Sequence, residues 1–211
     1  MPDADDFRAL ARSSPERWST LRSTERRRRG WTWSEPVRAW VRRPDRMRVE
    51  DAAGRLLDVV IGTDGDDDPM WQDYRWVAEL QPRELADGRD PDTGRPAGPA
   101  LEVDSLREVE HAGRPAWEAM VAPTADYEPR CGCCPLLRSR RIDGLEWGSV
   151  PDGVEYPSAH LVRLDVVTGA CVWAEVLDGT YAGDTHDLRI EAVDEPMPDA
   201  LFADRPVWRR S

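Results

Sequence analysis

Three cysteines stand within a four-residue span in the run Tyr127-Glu128-Pro129-Arg130-Cys131-Gly132-Cys133-Cys134-Pro135-Leu136-Leu137. Cys131 and Cys134 have the C-x-x-C spacing that lets two thiolates face one ion or one another, and Cys133 lies between them. Binding of a soft metal and disulfide exchange are the two chemistries such a group offers. A structural zinc takes four ligands as a rule, and the chain has no second C-x-x-C. The fourth would have to be Cys171, His111, His160 or His186. A thioredoxin-type motif follows a strand and opens a helix within a βαβ unit, whereas here prolines flank the cysteines and the neighbours read as antiparallel. Cys131, Cys133 and Cys134 are therefore candidate metal ligands with zinc as the candidate ion, and no other cofactor is indicated. Reduced thiols in a loop are the plainer alternative.

Other reactive constellations are missing. Ser158 and His160 are two apart on what reads as one strand face, with no third member. The sequence has no phosphate-binding G-x-x-x-x-G-K-[ST], no G-x-G-x-x-G, no H-E-x-x-H and no G-x-S-x-G. The acidic run Asp64-Gly65-Asp66-Asp67-Asp68 resembles a calcium loop, but an EF-hand counted from Asp64 needs Gly sixth and Glu twelfth. Those places hold Pro69 and Arg75, so the run reads as an exposed turn. No spacing among the carboxylates marks an acid–base pair. The expectation is a protein that binds rather than catalyses.

The composition limits the partners. At 33% charged residues and a net charge of −12, the chain repels nucleic acid, and no nucleic-acid partner is expected. All 29 basic residues are Arg, and Asn is absent. This bias fits a GC-rich bacterial genome better than any function. Ten Trp stand against two Phe, and large rings with one N–H can line a wide apolar space. No stretch approaches the ~20 apolar residues of a membrane span. The start Met1-Pro2-Asp3-Ala4-Asp5-Asp6 is acidic where a secretory signal is basic and then apolar. On that reading the protein is cytoplasmic and its thiols are reduced. The 211 residues suit one domain, 1–211; the oligomeric state is not indicated.

The elements that must position these groups follow from periodicity. Residues 1–29 read as an N-terminal helical segment, with Phe7, Leu10, Ala11, Trp18 and Leu21 on one face. Ser14-Pro15-Glu16 interrupts it, Ser14 capping a second turn, and Arg26 to Arg29 form its solvated cationic end. From Glu35 to Gly62, alternation predicts an antiparallel meander with a break or bulge at Pro44-Asp45 and a turn at Ala52-Ala53-Gly54. Trp71 to Ala86 returns to helical spacing around Trp76, Val77 and Leu80, and reads as a lid. Residues 87–99, rich in Gly, Pro and Asp, read as a flexible loop. Leu101 to Glu110 and Pro115 to Ala122 are further strands, followed by the cysteine-rich loop, 127–137. From Leu161, Val162, Leu164 and Val166 alternate with Leu161, Arg163 and Asp165; Thr168-Gly169 turns the chain into Ala170–Leu177. His186, Leu188 and Ile190 mark a third strand, and Pro196 to Phe202 close it.

In that order the chain resembles the lipoprotein-carrier superfamily, which includes LolA-like carriers and RseB-like sensors. The likeness rests on V-R-A-W-V-R-R-P-D-R-M-R-V-E from Val37, with G-T-D-G and Trp71 after it. It rests also on the hairpin H-L-V-R-L-D-V-V-T-G from His160, and on P-M-P-D-A-L-F from Pro196. The resemblance implies an α+β fold: a strongly curved antiparallel sheet, an incomplete β-barrel, with an N-terminal helix and a lid-like helical segment. It also implies non-enzymatic binding of an apolar ligand, a lipid or acyl chain, or of a protein segment in the concavity. Candidate lining residues are Trp40, Met47, Leu57, Val59, Trp117 and Trp173, with Trp76, Val77 and Leu80 on the lid. Two features depart from that family: the cysteine cluster, and a start without a signal or lipobox.

Overall fold

The computed structural model of the protein describes residues 1–62, 74–90, 93–129 and 131–203. The acidic run at Asp64–Asp68, with Trp71 and Arg130, lies outside them. Helix α1 (Ala4–Ser13) opens on a capping box, in which the Asp3 carboxylate accepts from the Asp5 and Asp6 N–H groups and Asp6 answers at the Asp3 N–H. This satisfies donors that the helix itself leaves free. The helix buries Phe7, Leu10 and Ala11. Ser14–Glu16 adds one 3-10 turn containing Pro15. Ser14 does not cap it; its hydroxyl donates instead to the Leu80 carbonyl at 2.7 Å.

The helical reading of residues 1–29 fails beyond this turn. Thr20–Arg29 is strand β1, paired with β3 (Val37–Arg42) on one side and β12 (Thr185–Val193) on the other. Leu21, Ser23, Glu25 and Arg27 alternate with Arg22, Thr24, Arg26 and Arg28. Charged groups occupy both sets, so no apolar stripe revealed the two-residue period. The Arg26–Arg29 run is thus a strand end, not a helix end. Two residues, Thr32–Trp33 (β2), fold back onto it.

The expected meander is present as β3, β4 (Arg46–Asp51) and β5 (Leu56–Ile61). The later strands are β8 (Leu101–His111), β9 (Arg114–Pro123), β10 (His160–Asp165), β11 (Cys171–Val176) and β12. Among the described residues the main sheet is antiparallel in the order β5-β4-β3-β1-β12-β11-β10-β9-β8, with β2 beside β1. Its two ends stay apart as edges, so it does not close into a barrel. The α+β architecture of the sequence reading is found.

Residues 87–99 are not a loop. Asp87–Arg89 (β6) and Pro96–Pro99 (β7) form a separate two-stranded ribbon. Gly88 lets it pack closely: a Cβ there would fall 2.5 Å from Asp126 Cβ and 2.7 Å from the Asp126 carbonyl. The glycine-rich composition that reads as flexibility here permits close backbone contact.

Two apolar clusters lie on the covered side of the sheet. In one, α1 packs with Leu101, Val121, Tyr127, Leu137, Val162 and Leu164. In the other, Trp18, Leu21, Val41 and Met47 meet Trp76, Val77 and Leu80 of α2 (Tyr74–Leu80) and Leu188 of β12. The 160–177 hairpin turns where expected. Gly169 has φ 70°, and Asp165 organises the turn by accepting from the Val167 and Thr168 N–H groups and the Thr168 hydroxyl.

Candidate functional site

A cleft of about 530 Å³ opens at one end of the sheet. The end of β1 supplies Arg27, Arg28 and Arg29; α2 supplies Arg75, Ala78 and Glu79. The cysteine loop contributes Cys133, Cys134, Pro135, Leu136 and Arg138, and the strands contribute His160, Glu175, Thr185 and His186. Most of these groups are polar. Strand alternation aims Arg27 and His186, partners in register, to the side covered by α2.

The floor is a buried ionic network. Arg27 pairs with Glu25 at 2.6 Å and with Glu79 of α2, while His186 Nδ1 lies 3.7 Å from the same Glu79 carboxylate. Burial and the like charge of Glu79 push Glu25 up to about 7, against the pull of Arg27. Burial, aided by Arg27, lowers His186 to about 4, so its imidazole is neutral and bonds the Cys171 carbonyl at 2.9 Å. His160 is 1% exposed, and among the described residues neither ring nitrogen has a hydrogen-bond partner. Burial lowers it to about 4, with Asp178 opposing. Arg28 donates to Glu175 at 2.8 Å and to the Gly183 carbonyl at 2.6 Å, closing one wall.

The cysteine loop forms the facing wall. Tyr127, fully buried, donates to Glu84 Oε1 at 2.7 Å and accepts from the Leu137 N–H. The same carboxylate oxygen accepts from the Leu136 N–H, so the 3-10 turn at Arg83–Leu85 ties down the loop. Helix α3 (Arg140–Trp147), capped by Ser139, lies beside it, with the Glu146 carboxylate against Gly132. The sulfurs of Cys131, Cys133 and Cys134 all lie within 4.8 Å of one another, Cys131 and Cys133 at 2.6 Å. Burial opposes ionisation of Cys131, but hydrogen bonds from the Cys133 and Cys134 thiols and amides outweigh it and lower its pKa. Burial and the neighbouring thiols raise Cys134. Among the described residues no fourth ligand atom comes as close to all three. Cys171 is in the core and His111 bonds the Leu188 carbonyl; His186 borders the cleft but bonds the Cys171 carbonyl, which leaves His160 as the cleft histidine without such a bond among the described residues.

The expected apolar lining does not converge on one space. Met47, Trp76, Val77 and Leu80 fill the second core cluster, and Trp117 packs against the first. Trp40 and Val59 flank Arg48 in register on the opposite face, half-buried, and Leu57 is 57% exposed on the edge strand. Trp173 also lies on that opposite face. There Asp187 takes Arg26 at 2.9 Å and Arg189 and His111 at 3.2 Å, and Glu118 takes Arg163 at 2.7 Å. Burial works against it, yet these partners hold Asp187 well below the usual carboxylate range. None of the expected lining residues borders the cleft. Of the residues that do, Cys133, Cys134, His160 and His186 were candidates in the sequence, whereas Arg27, Arg28, Glu79 and Glu175 were hidden because charged groups carry no motif; the alternation of β1 was the one signal that would have aimed Arg27 inward.

This architecture is the LolA- and RseB-like lipoprotein-carrier fold. The solved structures to which the chain is similar include MucB, at 19% identity over 96% of this chain and 63% of that one, TM-score 0.52. MucB in complex with MucA(peri) matches at 17% identity, 96% and 60% coverage and TM-score 0.50. A Pseudomonas aeruginosa MucA/MucB complex matches at 16%, 96% and 62%, TM-score 0.49. The chain therefore spans about three fifths of the length of the MucB chains it matches. No protein-family model matches it, and no curated protein matches it in sequence.

The expectation of a cytoplasmic protein is corrected by these likenesses. MucB, whose fold the chain shares, is solved in complex with MucA(peri), a likeness to an extracytoplasmic system. The acidic start of the sequence is no counterweight, since it describes only the first residues of the chain given. Among the described residues no helix is long and apolar enough to cross a membrane.

Proposed function

We propose that the chain is a non-enzymatic binding domain whose occupant is an extended segment of a partner protein, held at the cleft between α2 and the cysteine loop. The observation that carries this reading is the chemistry of the cleft wall. Arg27, Arg28 and Arg138 alternate with Glu79 and Glu175, whereas the apolar residues suited to an acyl chain are spent on the core. A polypeptide brings N–H, C=O and charges of both signs, which such walls can pair. An acyl chain brings only CH₂ groups and would strip water from these ions without return. The likeness to MucB, which is solved with MucA(peri), supports a protein occupant.

The test has two arms. Selection from a displayed peptide library, followed by titration on tryptophan fluorescence, is expected to give saturable, salt-sensitive binding. Arg28→Glu and Arg138→Glu should each weaken it about tenfold or more, as loss of a charge-assisted contact does. Intact mass under native and denaturing conditions is the second arm. A stoichiometric lipid lost on denaturation, or peptide binding indifferent to both charge reversals, would replace this reading with the apolar-ligand one.

A further inference from the structure

The cysteine loop has a chemistry that the binding reading does not use. Its turn is closed by the Cys134 N–H on the Cys131 carbonyl at 3.3 Å. The three sulfurs lie within 4.8 Å of one another, Cys133 and Cys134 at 3.8 Å and Cys131 and Cys133 at 2.6 Å. Sulfurs bound at ~2.3 Å around a tetrahedral ion stand about 3.8 Å apart, so the Cys133–Cys134 spacing suits an ion as it stands and Cys131 must move away from Cys133 to join it.

We propose that Cys131, Cys133 and Cys134 form a three-thiolate site for one soft d¹⁰ cation of the Zn²⁺ class, with the fourth position open to the cleft. The loop is already held in place. Tyr127 and Glu84 fix its far end, through the Tyr127 hydroxyl and the Leu136 N–H on one Glu84 oxygen. A second observation points to the same space. His160 lines the cleft with Cys133 and Cys134, buried, and among the described residues neither of its ring nitrogens has a partner. An unpaired buried imidazole is costly, and an ion or its water in the open position offers it a partner. Loading is an exchange: three S–H bonds break, three S–metal bonds form, and three protons leave to solvent. The resulting single negative charge lies in a cleft that Arg28 and Arg138 also line. This inference stands apart from the peptide reading, because its three ligands all come from the loop.

The reduced protein should be titrated with Co²⁺ in the absence of oxygen. One equivalent is expected to bind, with a sulfur-to-cobalt charge-transfer band in the near ultraviolet, and Zn²⁺ should displace it mole for mole. Cys131→Ser and Cys134→Ser should each weaken binding by at least about tenfold. Cys171→Ala should leave the band unchanged, as that thiol is in the core. Native mass spectrometry of the unmutated chain with Zn²⁺ gives a reading independent of variants: one bound ion, lost once the thiols are alkylated. No band at stoichiometric Co²⁺, a band that survives in both serine variants, or a zinc adduct that survives alkylation would each overturn the proposal.

Discussion

At the scale of single residues, charge buried in the cleft floor makes stability depend on pH. His160 titrates near about 4 in the fold against an ordinary value of 6.5. Between those values the unfolded chain holds the proton and the folded one does not, so His160 removes stability as pH falls from 6.5 to 4. His186, also lowered to about 4, acts in the same direction. Glu25, raised from 4.5 to about 7, acts oppositely: its contribution is full below 4.5 and is lost as pH rises through 7. Two imidazoles outweigh one carboxyl, so acidification from 6.5 to 4.5 should destabilise the protein. Urea melts of His160→Phe should show up to about 3 kcal/mol less difference in stability between pH 7 and pH 4 than the parent. An undiminished difference would mean that His160 is protonated in the fold.

Among the elements, the ribbon of β6 and β7 separates two kinds of contact. Arg12 holds Asp87 through two 2.7 Å bonds, but both side chains are about half exposed. Gly88 meets the Asp126 backbone with no room for a methyl group. Exposed ion pairs contribute ~1 kcal/mol or less, while overpacking against backbone costs about 1–3 kcal/mol. Arg12→Ala should therefore lower stability only slightly, and Gly88→Ala more, with protease cleavage near Asp90 rising in the second variant. The reverse order would show that the surface pair, not the close packing, pins the ribbon.

For the molecule as a whole, the question is whether α2 is a lid or part of the core. Leu80 and Val77 are fully buried against Leu21, Val41, Met47 and Leu188, and Glu79 of the same helix closes the ionic floor. A helix docked in this way unfolds with the sheet. Leu80→Ala should lower the global stability by about 3 kcal/mol in denaturant titrations, as a cavity in a core does. A loss below ~1 kcal/mol, or hydrogen exchange in α2 far faster than in β12, would mark a movable lid.

The sequence by itself determined the strands whose apolar residues alternate and the turns whose chemistry is local. The meander over β3 to β5 and the hairpin at Gly169 were legible because Asp165, Thr168 and Gly169 act on neighbouring backbone, and because one face of each strand is apolar. The proximity of the three cysteines was legible for the same reason, since a four-residue turn fixes it. Only the tertiary structure decided β1, whose charged residues face both ways and become a strand because β3 and β12 pair with it. Only the tertiary structure turned 87–99 into a ribbon, since the reason lies 38 residues downstream of Gly88, at Asp126. It also moved the site. Trp76, Val77 and Leu80 are apolar in sequence whether they line a cavity or fill a core, and packing chose the core. The cleft fell to Arg27, Glu79, His160 and His186, which come from four separate elements and share no local pattern.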